Sequence, residues 1–393
     1  MESDLSSAPK YRQIYDALKQ SISAGTYQRG QRLPSESELV KTFGASRLTV
    51  NRALRELQLG GVIDRRVGSG SYVSGAVSQG YTFGLLIPEL GQTEIFEPIC
   101  RGMAEFEMEV PHVLLWGKSP TSSGEVERQA RESCQQWIAK KVSGVFFAPL
   151  EYTAQKDEIN VRIAELFEAA GIPLVLIDRD IVSYPERSRH DLVGIDNRRA
   201  AYALTRHMIE VGCRRLLFIG RLGSAPSCLA RSAGFREALL DSGQDFSPDR
   251  IRHVDPADES DIRRVVREAR PDGIVCSNDY TAAHVMRVLE ELSLSVPNDV
   301  RIAGFDDVKY ASLLPVPLTT IHQPCAELGG AAVRLMIERL KNPDMPARDI
   351  LLNFRLMVRA STAAANEPAR INADQPPTGA TDQGTPRRAK RRP

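Results

Sequence analysis

Several polar side chains of this 393-residue chain follow short apolar runs or lie between such a run and the next helical stretch. They are Asp178, Arg179, Arg231, Asn278, Asp306 and Gln323. Carboxylate, guanidinium and amide groups gathered in one cleft can exchange several hydrogen bonds with neighbouring hydroxyls. Phe96 and Phe305 offer flat faces of the kind that pack against the C–H side of a sugar ring. These residue types predict a binding site for a polyol.

The apolar runs that position these residues alternate with helix-length amphipathic stretches between residues 81 and 362. They cover residues 83–89, 112–117, 144–150, 173–178, 215–220, 273–279 and 300–307. Continuous apolar strands indicate burial on both faces, and hence doubly wound parallel sheets covered by helices. Such sheets bind ligands at the carboxyl ends of their strands. The length of the region predicts two α/β lobes. Asn278 also fits the simpler role of a helix cap.

The first seventy residues have a different pattern, that of three short helices followed by a hairpin. One helical face is formed by Tyr11, Ile14, Tyr15, Leu18 and Ile22. Ser35 and Glu38 have the spacing of a capping box and begin the second helix. After the Gly44–Ala45 turn a third helix begins at Ser46. Two short helices joined this tightly are typical of a helix-turn-helix.

The third helix offers side chains that bond base edges and phosphates, and its first turn is the part that enters the major groove. These side chains are Ser46, Arg47, Thr49, Asn51 and Arg52. Two β-prone runs, at residues 62–66 and 71–74, surround a glycine-rich tip at residues 68–70. The pattern predicts a winged DNA-binding domain.

These segments resemble the GntR-type winged helix-turn-helix over nearly all of residues 10–74. The resemblance is carried by Leu33-Pro34-Ser35-Glu36, Ser46-Arg47, Thr49-Val50 and Gly68-Ser69-Gly70. It implies DNA contacts from Ser35, Ser46, Arg47, Thr49 and Asn51, with Gly68 of the wing approaching the minor groove. The family usually carries arginine where this chain has Asn51, and asparagine pairs naturally with adenine rather than guanine.

Residues 81–362 resemble the effector domain of LacI/GalR-type repressors and the related periplasmic sugar-binding proteins. The segments that carry this resemblance include LARSAGFREAL, DGIVCSNDYTA and VRIAGFDD. It implies ligand contacts from Asp178, Arg179, Arg231, Asn278, Asp306 and Gln323, with Phe96 near the loop after the first strand. The combination of this domain with a GntR-type reader is similar to the arabinose-responsive repressors of some bacteria.

Charge is distributed unevenly along the chain, although its formal net charge is only +1. Residues 1–75 carry 11 Lys and Arg against 7 Asp and Glu, and residues 366–393 carry 6 against 3. Basic ends around an acidic body favour a polyanion partner. Residues 363–393 are rich in Pro, Gly, Asp and Gln, which predicts a disordered basic tail.

Several classes of protein are excluded by what the sequence does not contain. No apolar run has the length of a membrane helix, so we expect no membrane association. The six cysteines lack paired spacing, which favours the reducing cytoplasm and predicts no metal site. The chain has no nucleophile elbow, Walker loop or GxGxxG after a strand, so we expect neither a cofactor nor catalytic residues.

The sequence thus predicts a DNA-binding domain at residues 1–75, a linker at 76–80, an effector-binding and dimerisation domain at 81–362 and a tail at 363–393. We predict a cytoplasmic homodimeric transcription regulator that binds an inverted-repeat operator in double-stranded DNA. A sugar is the predicted small-molecule effector, and it releases the repressor from its operator. Two alternatives are the same architecture with a purine or sugar phosphate as effector, and a sugar-modifying α/β enzyme.

Overall fold

The computed structural model describes residues 9–23, 25–28, 30–59, 62–66, 69–73, 80–87, 95–107, 111–117, 123–153 and 155–363. Its amino-terminal part, residues 9–73, is called the reader domain here. Three helices form it: α1 (Lys10–Ser23), α2 (Glu36–Phe43) and α3 (Arg47–Leu59). The predicted capping box is confirmed, because Ser35 and Glu38 exchange hydrogen bonds at the start of α2. Gly44 ends α2 in the left-handed conformation, which glycine adopts without strain.

The predicted wing is a two-stranded antiparallel sheet, β1 (Ile63–Arg66) and β2 (Gly70–Val73). It is tied to the segment before α2, because the backbone amide of Leu33 donates to the carbonyl of Ser71. Apolar residues from all three helices and both strands form one small core, which includes Ile14, Leu54 and Val73. The helices and the wing therefore form one packed unit.

The first lobe of the body contains a six-stranded parallel sheet. Its strands are β3 (Tyr81–Leu86), β4 (His112–Trp116), β5 (Gly144–Phe147), β6 (Leu174–Ile177), β7 (Asp191–Ile195) and β13 (Asp349–Leu352), in the order β13-β7-β6-β5-β3-β4. The helices α5 (Ser123–Ala139) and α6 (Lys156–Ala169) cover one face, while α4 (Phe96–Glu105) and α11 (Cys325–Lys341) cover the other. All of β5 and β6 is buried, as their continuous apolar sequences predict.

The second lobe repeats this architecture. Its strands are β8 (Leu216–Gly220), β9 (Ile251–His253), β10 (Gly273–Cys276), β11 (Arg301–Asp306), β12 (Thr319–His322) and β14 (Arg355–Met357), in the order β14-β12-β11-β10-β8-β9. All neighbours are parallel except β14, which runs antiparallel to β12. The helices α7 (Asn197–Glu210) and α8 (Pro226–Asp241) cover one face, and α9 (Glu259–Ala269) and α10 (Asp279–Glu291) cover the other.

The chain passes between the two lobes three times, after β7, after β12 and after β13. The predicted α/β fold with two lobes is confirmed. The last described element is a 3-10 turn at Ala360–Thr362. Residues 364–393 of the predicted tail and residues 76–79 of the predicted linker lie outside the described residues.

All six cysteines are free thiols, and each is buried or half-buried. Desolvation raises the pKa of Cys100 to about 12 and the pKa of Cys134 to about 11. The pKa of Cys213 is likewise raised to about 11. These thiols therefore pack as small apolar groups.

Helices α4 and α11 pack with their backbones close together in the first turns of each helix. At Gly329 of α11, an added Cβ would lie 2.1 Å from the carbonyl oxygen of Ile99. At the adjacent Gly330, the nearest atom to such a Cβ belongs to the Phe106 ring, at 3.2 Å. A side chain at Gly329 would therefore force the two helices apart.

We expect Gly329→Ala to lower the free energy of unfolding by about 1–3 kcal/mol, the usual cost of overpacking. Gly330→Ala is the matched control, because a ring can move and alanine favours a helix over glycine by about 1 kcal/mol. Urea unfolding followed by circular dichroism measures both. Equal losses in the two variants would contradict the close helix contact.

Candidate functional site

The polar residues predicted from the sequence lie beyond the carboxyl ends of strands in both lobes. Asp178 and Arg179 follow β6 of the first lobe, Asn278 follows β10 of the second, and Asp306 ends β11. Gln323 follows β12, where the chain passes from the second lobe to the first. Arg231 lies on α8 and reaches the same region. The space between the lobes into which these residues converge is called the cleft here.

Arg231 is held from three sides. Its Nε donates to Asn197 Oδ1 at 2.8 Å, and its Nη1 donates to the carbonyl oxygen of Ser277 at 2.5 Å. Its Nη2 lies 3.5 Å from Asp306 Oδ1, which also accepts a hydrogen bond from Gln323 at 2.8 Å. Burial by itself lowers the pKa of Arg231, but its acidic neighbours, Asp306 foremost, together raise the pKa above its ordinary value, so the guanidinium stays charged.

Arg179 of the first lobe is paired in a similar way, with a residue that the sequence analysis does not single out. Its Nη1 donates to Glu151 Oε1 at 2.6 Å, and its Nε donates to the carbonyl oxygen of Pro149 at 2.9 Å. The side chains of Arg179 and Glu151 are only 7% and 8% exposed. Glu151 follows the apolar run at residues 144–150, so the strand-end rule that indicated Asp178 also applies to it.

Asp178 differs from these paired groups. It is buried, its Oδ2 is 3.8 Å from Arg179 Nη1, and its Oδ1 has no hydrogen-bond donor among the described residues. Desolvation raises the pKa of this carboxyl group, and the charges of Arg179 and Arg231 offset only part of that effect. Asp178 also has a positive φ of 70°, which is unusual outside glycine. A buried acceptor without a protein donor, held in a strained conformation, is typical of a ligand site.

The rings of Phe96 and Phe305, which were expected from the sequence to offer flat faces to a sugar, are both buried. Phe96 is 1% exposed and Phe305 is fully buried. The guanidinium carbon of Arg179 lies 5.4 Å from the centre of the Phe96 ring, and that of Arg231 lies 4.5 Å from the centre of the Phe305 ring. Both rings are therefore buried beside guanidinium groups, and their contact with a sugar stays a prediction. The rings support the two arginines by cation–π contact.

Asn278 occupies the position of a helix cap, as the simpler interpretation of the sequence expects. Its Oδ1 accepts a hydrogen bond from the backbone amide of Thr281 at 2.9 Å, at the start of α10. The side chain is only half-buried. Its amide nitrogen is a further hydrogen-bond donor at the end of β10.

The two lobes touch at the edge of the cleft through backbone and side-chain contacts. The backbone amide of Tyr152 donates to the carbonyl oxygen of Gly223 at 2.8 Å. Glu151 Oε2 accepts from the backbone amide of Ala225, at the start of α8, at 3.2 Å. The carboxylate paired with Arg179 thus also neutralises the amino end of a helix in the opposite lobe. The two lobes are therefore in direct contact at this edge of the cleft.

In the reader domain, Ser35 and Ser46 are the residues that begin α2 and α3. Ser46 Oγ accepts from the backbone amide of Thr49 at 3.2 Å and lies 2.8 Å from Thr49 Oγ1. Arg47 is exposed, and its Nη2 donates to Ser37 Oγ at 3.4 Å. Gly68, the predicted wing contact, lies outside the described residues. The first turn of α3 is therefore exposed and carries a cation.

Asn51 and Arg52 have partners within the reader domain. The guanidinium carbon of Arg52 lies 3.8 Å from the centre of the Tyr11 ring, and its Nε is 3.4 Å from Glu56. Asn51 is half-buried and is bonded to Glu36, which belongs to the segment that carries the GntR resemblance, and to Arg65, which was not expected from the sequence to take part. The contact of Asn51 with DNA stays a prediction.

Within the described residues, no group of three or more His, Cys, Asp and Glu side chains could hold a metal ion. No helix in this part of the chain is both long and apolar enough to cross a membrane.

Comparison with known protein families supports both domains. Residues 10–73 match the family of bacterial regulatory proteins named gntR. Residues 205–362 match the periplasmic binding protein-like domain. Each match lies within one of the two parts of the fold described above.

Relatives with similar sequences are transcriptional repressors. The arabinose metabolism transcriptional repressor of Halalkalibacterium halodurans is 27% identical over 91% of this chain and 97% of its own length. The repressor with the same name from Geobacillus stearothermophilus is 27% identical over 90% of this chain and 98% of its own length. The HTH-type transcriptional repressor PurR of Aliivibrio fischeri is 26% identical, over 62% of this chain and 70% of its own.

Solved structures with a similar fold are also transcription regulators. The transcriptional regulator CelR in complex with cellobiose has a TM-score of 0.61 and 24% identity, over 80% of this chain and 90% of its own. The transcription regulator CcpA of Lactococcus lactis has a TM-score of 0.63 and 20% identity, over 72% of this chain and 100% of its own. The alternative of a sugar-modifying enzyme is set aside, because the relatives are regulators and not enzymes. One part of the chain thus matches a family of bacterial regulatory proteins and another part matches a periplasmic binding protein-like domain, and the chain is a ligand-responsive DNA-binding transcription regulator.

Proposed function

We propose that this protein is a dimeric repressor that binds an inverted-repeat operator and leaves it when a neutral sugar occupies the cleft. The observation that carries the effector class is the buried Oδ1 of Asp178, an acceptor without a donor among the described residues. A sugar hydroxyl supplies the missing donor.

The charge balance of the cleft favours a neutral polyol over a sugar phosphate. Arg179 is already paired with Glu151, and Arg231 is paired with Asp306. A phosphate needs cationic groups that are free to receive it, whereas Asp178 and Asp306 place two carboxylates in the same space. A stacked purine is disfavoured because Phe96 and Phe305 are both covered by guanidinium groups. The names of the relatives from Halalkalibacterium halodurans and Geobacillus stearothermophilus make arabinose the first sugar to test.

The exposed first turn of α3 supports the proposed DNA contacts of Ser46, Arg47 and Thr49, with Ser35 at the start of α2. Hydroxyl and guanidinium groups at the amino end of a helix suit phosphates and base edges. One reader domain makes a small interface for a specific complex. Two copies bound to two half-sites supply the further contacts, so we propose that the protein is a homodimer and that its operator is an inverted repeat. Because its target is DNA, we propose that it acts in the cytoplasm.

The contacts between the lobes support the proposed route from effector to DNA. Glu151 joins the Arg179 side of the cleft to the amino end of α8 in the second lobe. A ligand held by residues of both lobes favours one arrangement of the lobes over another, and this changes the spacing of two dimer-related readers. Effector and operator then oppose each other's binding by the same factor.

We expect Asp178→Asn and Asp306→Asn to weaken binding of the cognate sugar by 2 kcal/mol or more, about 30-fold, because each removes a buried charged acceptor. Calorimetric titration with pentoses, hexoses, their phosphates and purines first identifies the cognate ligand and then compares the variants. Asp157→Asn is the control, since that carboxylate is 70% exposed. If both cleft variants take up the ligand as the parent does, the cleft assignment is wrong.

The stability of Asp178→Asn separates a binding role from a structural one. Because burial raises the pKa of Asp178, ionisation of this carboxyl group destabilises the folded protein relative to a carboxyl group with an ordinary pKa. The neutral amide should therefore keep or raise the thermal midpoint of the unliganded protein. A large fall in that midpoint would indicate that Asp178 supports the fold.

We expect Arg47→Ala to weaken operator binding, because it removes one phosphate or base contact. The slope of log K against log salt concentration should fall in magnitude by about one. Fluorescence anisotropy with a duplex selected by the parent protein, at several salt concentrations, measures both quantities. Arg128→Ala removes an exposed arginine of the first lobe and should leave them unchanged. An unaltered affinity for Arg47→Ala would exclude this residue from the interface.

We expect the cognate sugar to weaken operator binding by about 5–150-fold in the parent protein. Insertion of about ten Gly and Ser residues after Gly75 should remove most of this effect, because a flexible connection averages out the change in spacing. Operator titrations with and without sugar, in the parent and the insertion variant, measure the coupling. A full effect in the insertion variant would refute transmission through the connection, and tighter parental binding with sugar would indicate co-repression.

A further inference from the structure

Arg65 of the wing strand β1 lies between the two helices of the helix-turn-helix. Its Nη2 donates to Glu36 Oε1 at 2.5 Å, and its Nη1 donates to Asn51 Oδ1 at 3.3 Å. Asn51 Nδ2 donates to the same oxygen of Glu36, in a long bond of 3.5 Å. The three side chains therefore close a ring of hydrogen bonds that joins α2, α3 and β1.

This ring determines which way the amide of Asn51 points. With the present orientation, the amide oxygen faces a guanidinium and the amide nitrogen faces a carboxylate. Rotation of the amide by half a turn would place two donors against each other at Arg65 and two acceptors against each other at Glu36. Both contacts would be repulsive and each would involve a charged group, so the alternative orientation is disfavoured.

The hydrogen-bonding capacity that remains on Asn51 is one N–H group and one oxygen lone pair. These are the two groups with which asparagine contacts adenine, donating to N7 and accepting from the N6 amino group. Thymine, guanine and cytosine present different sets of groups in the major groove. An amide with a fixed orientation therefore reads one base, whereas an amide free to rotate reads several.

We propose that Arg65 is a specificity-determining positioning residue for DNA reading: with Glu36, it fixes the amide of Asn51 so that Asn51 selects adenine at one step of each half-site. This inference rests on the proposed function of the reader domain. Arg65 acts through Asn51 rather than by its own base contact. It also pairs with the Glu36 carboxylate, whose unpaired negative charge would oppose the binding of DNA.

The test compares base preferences in a selection from a random-sequence double-stranded DNA library, using the full-length protein. The variants are Arg65→Met and Arg65→Lys, each made in the parent and in an Asn51→Ala background. Arg55→Met is the matched control, because Arg55 is an exposed arginine of α3 and its loss removes the same charge from the same domain. Circular dichroism melting of each variant checks that the reader domain is folded.

We expect Arg65→Met to reduce the preference for adenine about tenfold at one step of each half-site, the same step that Asn51→Ala affects. Arg65→Lys keeps a charged donor and should retain part of that preference. Arg55→Met should weaken binding without altering the preference at any step. In the Asn51→Ala background, Arg65→Met should cause no further change in the preference profile.

Two results would overturn the inference while leaving the proposed function intact. One is a parental preference profile in the folded Arg65→Met variant. The other is an equal change in the profile with and without Asn51, since Arg65 would then contact the DNA independently. Failure of the parent protein to select any sequence would instead overturn the proposed function, and the inference with it.

Discussion

The arrangement of the two lobes depends on the pairing of charged side chains that are buried between them. Arg179 and Arg231 are buried there, and each is paired with a carboxylate from a different strand end. An unpaired buried charge costs several kcal/mol, so the arginines, their partners and the rings beneath them can only be arranged together. This requirement explains why Phe96 and Phe305 lie under guanidinium groups and why Glu151 reaches the amino end of α8. It leaves Asp178 Oδ1 as a buried acceptor that has no hydrogen-bond donor among the described residues.

Much of the cleft could be predicted from the sequence, because buried parallel strands read as continuous apolar runs and the next residue lies at their carboxyl end. Asp178, Arg179 and Asp306 were found by that rule, and the same rule applied to the run before Glu151 would have found the missing carboxylate. The state of the two phenyl rings could not be predicted, since it depends on where arginines 83 and 74 residues away in the chain place their guanidinium groups. The short edge strands β9, β13 and β14 have three or four residues each and no distinctive pattern, so they were also missed.

In the reader domain too, the features that depend on nearby residues could be predicted from the sequence, whereas those that depend on distant residues could not. The capping box, the Gly44 turn and the start of α3 follow from residues within a few positions of each other, and the structure has them where the sequence indicates. The bonds of Asn51 connect it to residues 15 positions earlier and 14 positions later, so its environment depends on how the wing packs against the helices. Residue type alone suggests what such a side chain can bind, whereas its neighbours decide which of its atoms remain available.

The buried thiols have a practical consequence for measuring the distance between the two lobes. A maleimide reacts with the thiolate, and the raised pKa values of Cys100, Cys134 and Cys213 leave very little thiolate at neutral pH. Burial raises the pKa of Cys228, Cys276 and Cys325 as well, so we expect a low background for labelling without removal of any cysteine. A pair of cysteines introduced on the exposed surfaces of opposite lobes would carry fluorophores whose energy transfer reports the distance across the cleft in real time.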